Sequence, residues 1–334
     1  MYESLGITLV LAMLLAVNAI ATAAATGLWY LFRQFLLRCS ARTRAELLFV
    51  LRIGPPTIAI VWIVAFMIPS YLVYEPYSTG EFVSLKLGTL AAISAVGVGF
   101  AIWRGIRSWL ATRALLRLWL ANSAPIELND VNVPAYRLLH SFPIIAVVGT
   151  IGPRLFIAEQ VLAALTKEEL AAAVAHEYGH MAAHDNLKRS MLRLSRAALV
   201  IIPCGRSLDR AWGEASEAAA DEHAAQKSAT VALNLASALV RVARLIPAED
   251  HHVMSSSAFF VGAEETRGIK ARVRRLLELS STDPSLLVSS APVFRLLPWL
   301  VLVFVLMIGL TLETRPQVLA TVHMFIEHVV VVLS

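Results

Sequence analysis

The sequence predicts a mainly α membrane protein: several spanning helices, with a cytoplasmic α+β module of a small sheet and packed helices between the third and fourth spans. Three observations predict it. The 334-residue chain is 57% hydrophobic and only 16% charged, whereas an ordinary soluble domain carries about 25% charged residues. Four charge-free runs reach or approach the ~20 residues that a helix needs to cross a bilayer. Between the third and fourth runs the texture changes to short β-like stretches and capped, amphipathic helices.

The first run lies between Glu3 and Arg33, which enclose no charge. It is too long for the apolar core of a cleavable signal peptide and lacks the basic segment that precedes one. The second run is Ile53 to Tyr74, the third Leu87 to Trp103 and the fourth Leu296 to Leu312. Residues 1–103 are therefore read as three transmembrane helices, 104–290 as the cytoplasmic module, and 291–334 as a C-terminal span. Segment 317–333 is either a fifth span or an interfacial helix, on which His323 and Glu327, four apart, pair as a detail of the interface. Arg33, Arg38, Arg42, Arg44 and Arg52 fall between the first two runs against one acid, Glu46. Glu75, Glu81 and a single Lys86 follow the second run, and Arg104, Arg107, Arg113 and Arg117 follow the third. Cytoplasmic loops carry the excess of Lys and Arg, so the N-terminus is expected outside and the module inside a bacterial-type inner membrane. With its tryptophans, the stretch from Arg104 to Arg117 reads as a membrane-surface helix rather than a nucleic-acid site. Cys39 and Cys204 lie far apart and outside any metal-binding spacing, which suits two unpaired thiols in a reducing compartment.

Within the module, "FPIIAVVG" and "PRLFIAE" are β-like runs separated by the turn signal "TIGP". Thr166 and Glu169 then form a capping box at the head of a helix expected from Lys167 to about His184. Further helices are expected over residues 187–202, ended by Pro203 and Gly205, over about 207–227, and over "VALNLASALVRVARL" and "TRGIKARVRRLLEL".

The first of these helices carries "HEYGH". His176 and His180 are four apart, so both imidazoles leave one face of the helix and can reach one Zn²⁺ at about 2.0–2.1 Å. Glu177 then stands beside the ion, where a carboxylate can take a proton from water that zinc has acidified. A zinc hydrolase needs a third protein ligand and an open fourth position. Downstream, "EASEAAADEHAA" offers Glu214, Glu217, Asp221 and Glu222. Only Glu217 has another acid four residues on, so Glu217 is the candidate ligand and Asp221 the carboxylate that accepts the N–H of a ligand histidine. Asp185 is a similar outer partner or a cap of the next helix. His184 and His223 read as surface histidines.

These residues resemble the membrane zinc metallopeptidases of the gluzincin type, and within them the antirepressor family of the BlaR/MecR-type β-lactam receptors. The resemblance is carried by "GPRLFIAEQVLAALTKEELAAAVAHEYGHMAAHDNLKR" and "IIPCGRSLDRAWGEASEAAADEHA", and covers about residues 140 to 230. Ala220, before Asp221, departs toward the heat-shock/CAAX-protease-like membrane peptidases. The resemblance implies a zincin-like fold, one Zn²⁺ per chain, a protein or peptide substrate and hydrolysis of peptide bonds. It implies sensing only weakly, because no sensor domain follows the last span; regulation is expected from a separate partner, the membrane or the loop from Glu75 to Lys86. In similar enzymes an edge strand pairs with an extended substrate; the candidate here is Ile144 to Val148, with Ile144, Ala146 and Val148 as its substrate residues. His251, His252 and Arg272 are candidates for stabilising an oxyanion. The alternatives are a quality-control or CAAX-type peptidase of the membrane, and a non-catalytic signalling or scaffold protein with a structural or lost zinc. A site-2-type intramembrane protease is disfavoured, since the motif helix carries Lys167, Glu168 and Glu169 and no Asp-Gly motif follows.

Overall fold

The computed structural model describes residues 2–76, 83–128, 133–150, 152–198, 205–246, 263–281, 292–313 and 315–333. Helix α1 spans Tyr2–Leu36; α2 (Ala41–Val61) continues through a π-helical turn (Trp62–Met67) into α3 (Ile68–Tyr74); α4 spans Leu85–Ala121. The three segments of 35, 34 and 37 residues are long and apolar enough to cross a membrane. At about 1.5 Å per residue each exceeds a ~30 Å hydrocarbon core. Their outward faces carry large exposed apolar side chains, among them Ile20, Leu31, Leu72 and Val96, as a lipid-facing surface requires.

The expected membrane-surface helix over residues 104–117 is not a separate element. It is the second half of α4, which runs unbroken to Ala121. A helix that already satisfies its own backbone has no reason to stop where the charges begin; the arginines simply leave its exposed side. Arg107 lies 5.1 Å from the Trp103 ring and Arg113 lies 3.8 Å from that of Trp109.

Helix α4 passes directly into a four-stranded sheet: β1 (Ser123–Ile126), β2 (Ala135–Leu138), β3 (Ile145–Val148) and β4 (Arg154–Ala158), in the order β1-β2-β4-β3. The pair β2/β4 is parallel and the other two pairs are antiparallel. The sequence predicted β3 and β4. It did not predict β1 and β2, whose "SAPI" and "AYRL" hold a proline or an arginine and are too short to show alternation. Pro125 is tolerated because β1 is an edge. Leu155, Phe156, Ile157 and Ala158 are almost wholly buried, and the Trp119 ring meets Phe156 edge-on at 5.3 Å, so the end of α4 is part of the sheet's core.

Helices α5 (Glu159–Ala164), α6 (Lys167–Ala182), α7 (Asp185–Ala198), α8 (Arg206–Ala225), α9 (Ala229–Arg244) and α10 (Ala263–Ser280) complete the module, and α11 (Pro292–Glu313) and α12 (Pro316–Leu333) follow. Thr166 and Glu169 form the predicted capping box. Helices α6, α8, α9 and α10 meet on Ala172, Ala175, Ala224, Ala225, Ala232, Leu235 and Leu276; small side chains let the helix axes approach closely. Helices α11 and α12 meet at 95°, and taken as one bent element they would supply a fourth span. The Cys39 thiol is free; Cys204 lies outside the described residues.

Polar contacts fasten the module to the spans. Arg52 of α2, 1% exposed, pairs with Asp209 of α8 at 3.0 Å and donates to Ser195 Oγ at 2.6 Å. Gly205, at φ +89°, caps α8 where a Cβ would sit 3.0 Å from Arg52 Nε. Lys188 of α7 pairs with Glu46 of α2, which also accepts from Trp299 Nε1 at 3.2 Å.

Candidate metal centre

The capping box starts α6 at a fixed residue, and so fixes which face His176 and His180 share. Their rings lie 4.8 Å apart and nearly perpendicular, at 89°. Gly179, between them, faces α8: a Cβ there would lie 2.9 Å from Ala220 Cα and 3.1 Å from His223 Cβ. The missing side chain lets α8 press against α6, and that approach brings Glu217 to the histidines. Donor atoms of His176, His180 and Glu217 all lie within 4.8 Å of one another.

Each imidazole is oriented from behind. His176 Nδ1 is 2.9 Å from Asp221 Oδ1, and His180 Nδ1 is 2.6 Å from Asp185 Oδ2. With both Nδ1 atoms turned to carboxylates, both Nε2 atoms face Glu217, at 3.6 and 3.5 Å. Asp185 also accepts from Ser216 Oγ at 2.6 Å. It is the outer partner of His180 and the first residue of α7; His184, at φ +54°, makes the turn before it.

The donor set fits a tetrahedral zinc. Ligands about 2.1 Å from a tetrahedral ion lie roughly 3.4 Å from one another; each Nε2 lies near that distance from a different oxygen of Glu217, His176 from Oε2 and His180 from Oε1. Glu217 Oε2 is buried and accepts no hydrogen bond, although Arg272 Nη1 stands 3.1 Å away as an ion-pair contact.

The charges are strongly coupled. Burial pushes the His180 imidazolium down, but Glu217 and Asp185 outweigh it and raise its pKa to about 10. Burial pushes Asp221 up, and Arg272 with His176 holds it at about 2. Burial likewise disfavours the Glu217 carboxylate, yet His180, His176 and Arg272 keep it well below the usual range. Arg272 of α10 grips Asp221 with Nη2 at 2.7 Å and Nε at 3.0 Å, and Arg189 of α7 donates to Glu217 Oε1 at 3.0 Å. Arg272, a candidate for an oxyanion, is thus committed to the carboxylates of α8. His251 and His252 lie outside the described residues. Nothing in the sequence marked Arg189 or Gly179: one reads as a solvated charge and the other as a weak point in a helix.

Residues 146–288 match the sequence model of Peptidase family M48. This segment is similar to the peptidase domains of that family, and is called the M48 domain below. The match bears out the resemblance to membrane zinc metallopeptidases and the fold class expected with it. No curated protein and no solved structure matches the chain. M48 is a zinc-dependent family, and its match here takes in every residue of the donor cluster.

In the M48 domain Glu177, 8% exposed, points to β3, where its Oε2 accepts from Val147 N–H at 3.3 Å. Strand β3 is the sheet edge next to the cluster. Its register puts the outward amides on other residues than expected. Ile144 turns its carbonyl into the sheet, to Ala158 N–H at 2.8 Å, and antiparallel alternation turns Ala146 and Val148 the same way. The open edge belongs to Ile145 and Val147; Val147 O accepts from Asn186 Nδ2 at 2.9 Å. An apolar pocket adjoins Glu177 and His176, walled by Phe142, Pro143 and Ile145 on one side and by Leu235, Leu239 and Val242 of α9 on the other.

Proposed function

We propose that the chain is an integral-membrane, zinc-dependent endopeptidase that hydrolyses peptide bonds of a cytoplasmic or membrane-attached protein. The observation that carries this reading is the convergence of two imidazole Nε2 atoms and the Glu217 carboxylate beside Glu177, at the open edge of a strand. His176, His180 and Glu217 would hold one Zn²⁺, with Asp221 and Asp185 fixing the tautomers of the two histidines. The ion, when bound, supplies a Lewis acid that polarises the scissile carbonyl and acidifies water. Glu177 takes the proton from the attacking water and returns it to the leaving amine.

An extended substrate lies along β3, hydrogen-bonded to the outward groups of Ile145 and Val147. Val147 N–H must then exchange Glu177 for the peptide, which frees the carboxylate as the substrate arrives. The pocket behind Phe142 and Leu239 receives an apolar side chain next to the cleaved bond. The excess of arginine on the module's side of the spans supports a cytoplasmic domain with the N-terminus outside.

Glu177→Gln tests the mechanism. It keeps the shape and removes the base, so hydrolysis of a peptide should fall by about 10²–10⁴-fold with zinc content unchanged. Full activity in the zinc-loaded variant would refute the assignment.

A further inference from the structure

A second cluster of metal-ligating side chains lies at the far end of the helical bundle. Glu75 caps the C-terminus of α3, and His323 and Glu327 stand one turn apart on α12. Donor atoms of the three lie within 4.8 Å of one another, and His323 Nε2 is 3.7 Å from Glu327 Oε1. Around it, Val322, Ile326 and Val330 of α12 pack on Leu5, Leu9, Tyr71 and Leu87, near the starts of α1 and α4. The M48 domain is fastened instead at the end of α1 and the first half of α2, through Leu36, Phe49 and Arg52.

The cluster is assembled by contacts that hold α12 against α3. Ser70 Oγ donates to Leu319 O at 2.9 Å, and Tyr74 Oη donates to Pro316 O at 3.1 Å. The Tyr74 ring stacks on His323, with centroids 5.7 Å apart and planes at 29°. Glu75 is 6% exposed. The Nδ1 of His323 is buried and has no hydrogen-bond partner among the described residues. The three side chains offer one imidazole nitrogen and two carboxylate oxygens to a shared ion.

We infer that Glu75, His323 and Glu327 bind a divalent cation, separate from the peptidase centre. An imidazole among two carboxylates suits a first-row ion such as Zn²⁺ or Mn²⁺, whereas Ca²⁺ and Mg²⁺ take oxygen ligands. The ion clamps the C-terminal helix to α3, apart from the contacts of Phe49 and Arg52 that fasten the M48 domain.

Zinc content of the purified full-length chain in detergent, after equilibration with Zn²⁺ alone, decides the matter. The wild type should hold about two ions per chain and His176→Ala, which leaves the second cluster untouched, about one. Glu327→Gln, a conservative change at the most exposed of the three positions, should lose one ion and keep hydrolysis. A His176→Ala chain that holds no zinc would overturn the inference, as would a Glu327→Gln chain that keeps the full complement. Failure of the peptidase reading would show differently, as a His176→Ala chain that keeps both ions or full activity.

Discussion

The two donor clusters have similar ligand chemistry and differ in what stands behind the ligands. At the M48 centre each imidazole has a carboxylate on its far nitrogen, and Glu217 is braced by Arg189 and Arg272. At the end of the bundle His323 has an aromatic face and a buried Nδ1 with no hydrogen-bond partner among the described residues. Outer carboxylates set the tautomer, fix the ring and raise its basicity. The difference separates a site preorganised for chemistry from one that needs only to join two helices, where an ion can pull the donors together as it binds.

The largest contrast is expected from Gly179. A side chain there meets the α8 backbone at Ala220, so Gly179→Leu must push α8 away and carry Glu217 with it. Overpacking of this kind costs about 1–3 kcal/mol, which a domain can survive, but the donor triangle cannot. Hydrolysis should disappear, and one zinc should be lost while the ion at Glu75 stays. A variant that keeps both its zinc and its activity would show that the close approach of α6 and α8 does not set the site.

A smaller effect is expected behind the ligands. Asp221→Asn and Asp185→Asn keep the shape of each outer partner and remove its charge. Each should weaken zinc at the M48 centre by about 10–100-fold, measured by competition with a chelator, and leave the second ion unchanged. Equal losses at both clusters would mean that the substitutions act through the fold.

The two clusters also show what a sequence displays and what it conceals. His176, Glu177 and His180 share one helical turn after a capping box, and Glu217 with Asp221 repeat the spacing of a helix face; periodicity groups each set, and zinc's need for a third ligand joins the two. Asp185 was legible as a carboxylate at a helix junction. Arg189 and Arg272 were not, because their meaning comes from the packing of α7 and α10 on α8. Glu75 joins His323 only through the fold of the spans, across 248 residues, and the pair His323–Glu327 by itself looks like an interfacial detail. The strands β1 and β2 were hidden by their length, and a strand's period says which residues of β3 alternate but not which of the two sets pairs with β4.

The finest distinction is a matter of protons. Without metal, Glu217 and Asp185 keep His180 charged up to a pKa of about 10, above the ~6.5 of an unfolded histidine. A raised pKa stabilises the fold fully below the unfolded value and loses that contribution as pH rises through the folded one. Metal-free protein should therefore melt at a lower temperature at pH 9.5 than at pH 7, and by less in Asp185→Asn. Zinc requires the neutral imidazole, so its binding must release the His180 proton and tighten over the same interval. Calorimetry in buffers of different ionisation enthalpy counts that proton. Zinc uptake at the M48 centre with no proton released at pH 7 would show that His180 is already neutral, and that the carboxylates behind it orient the ring without charging it.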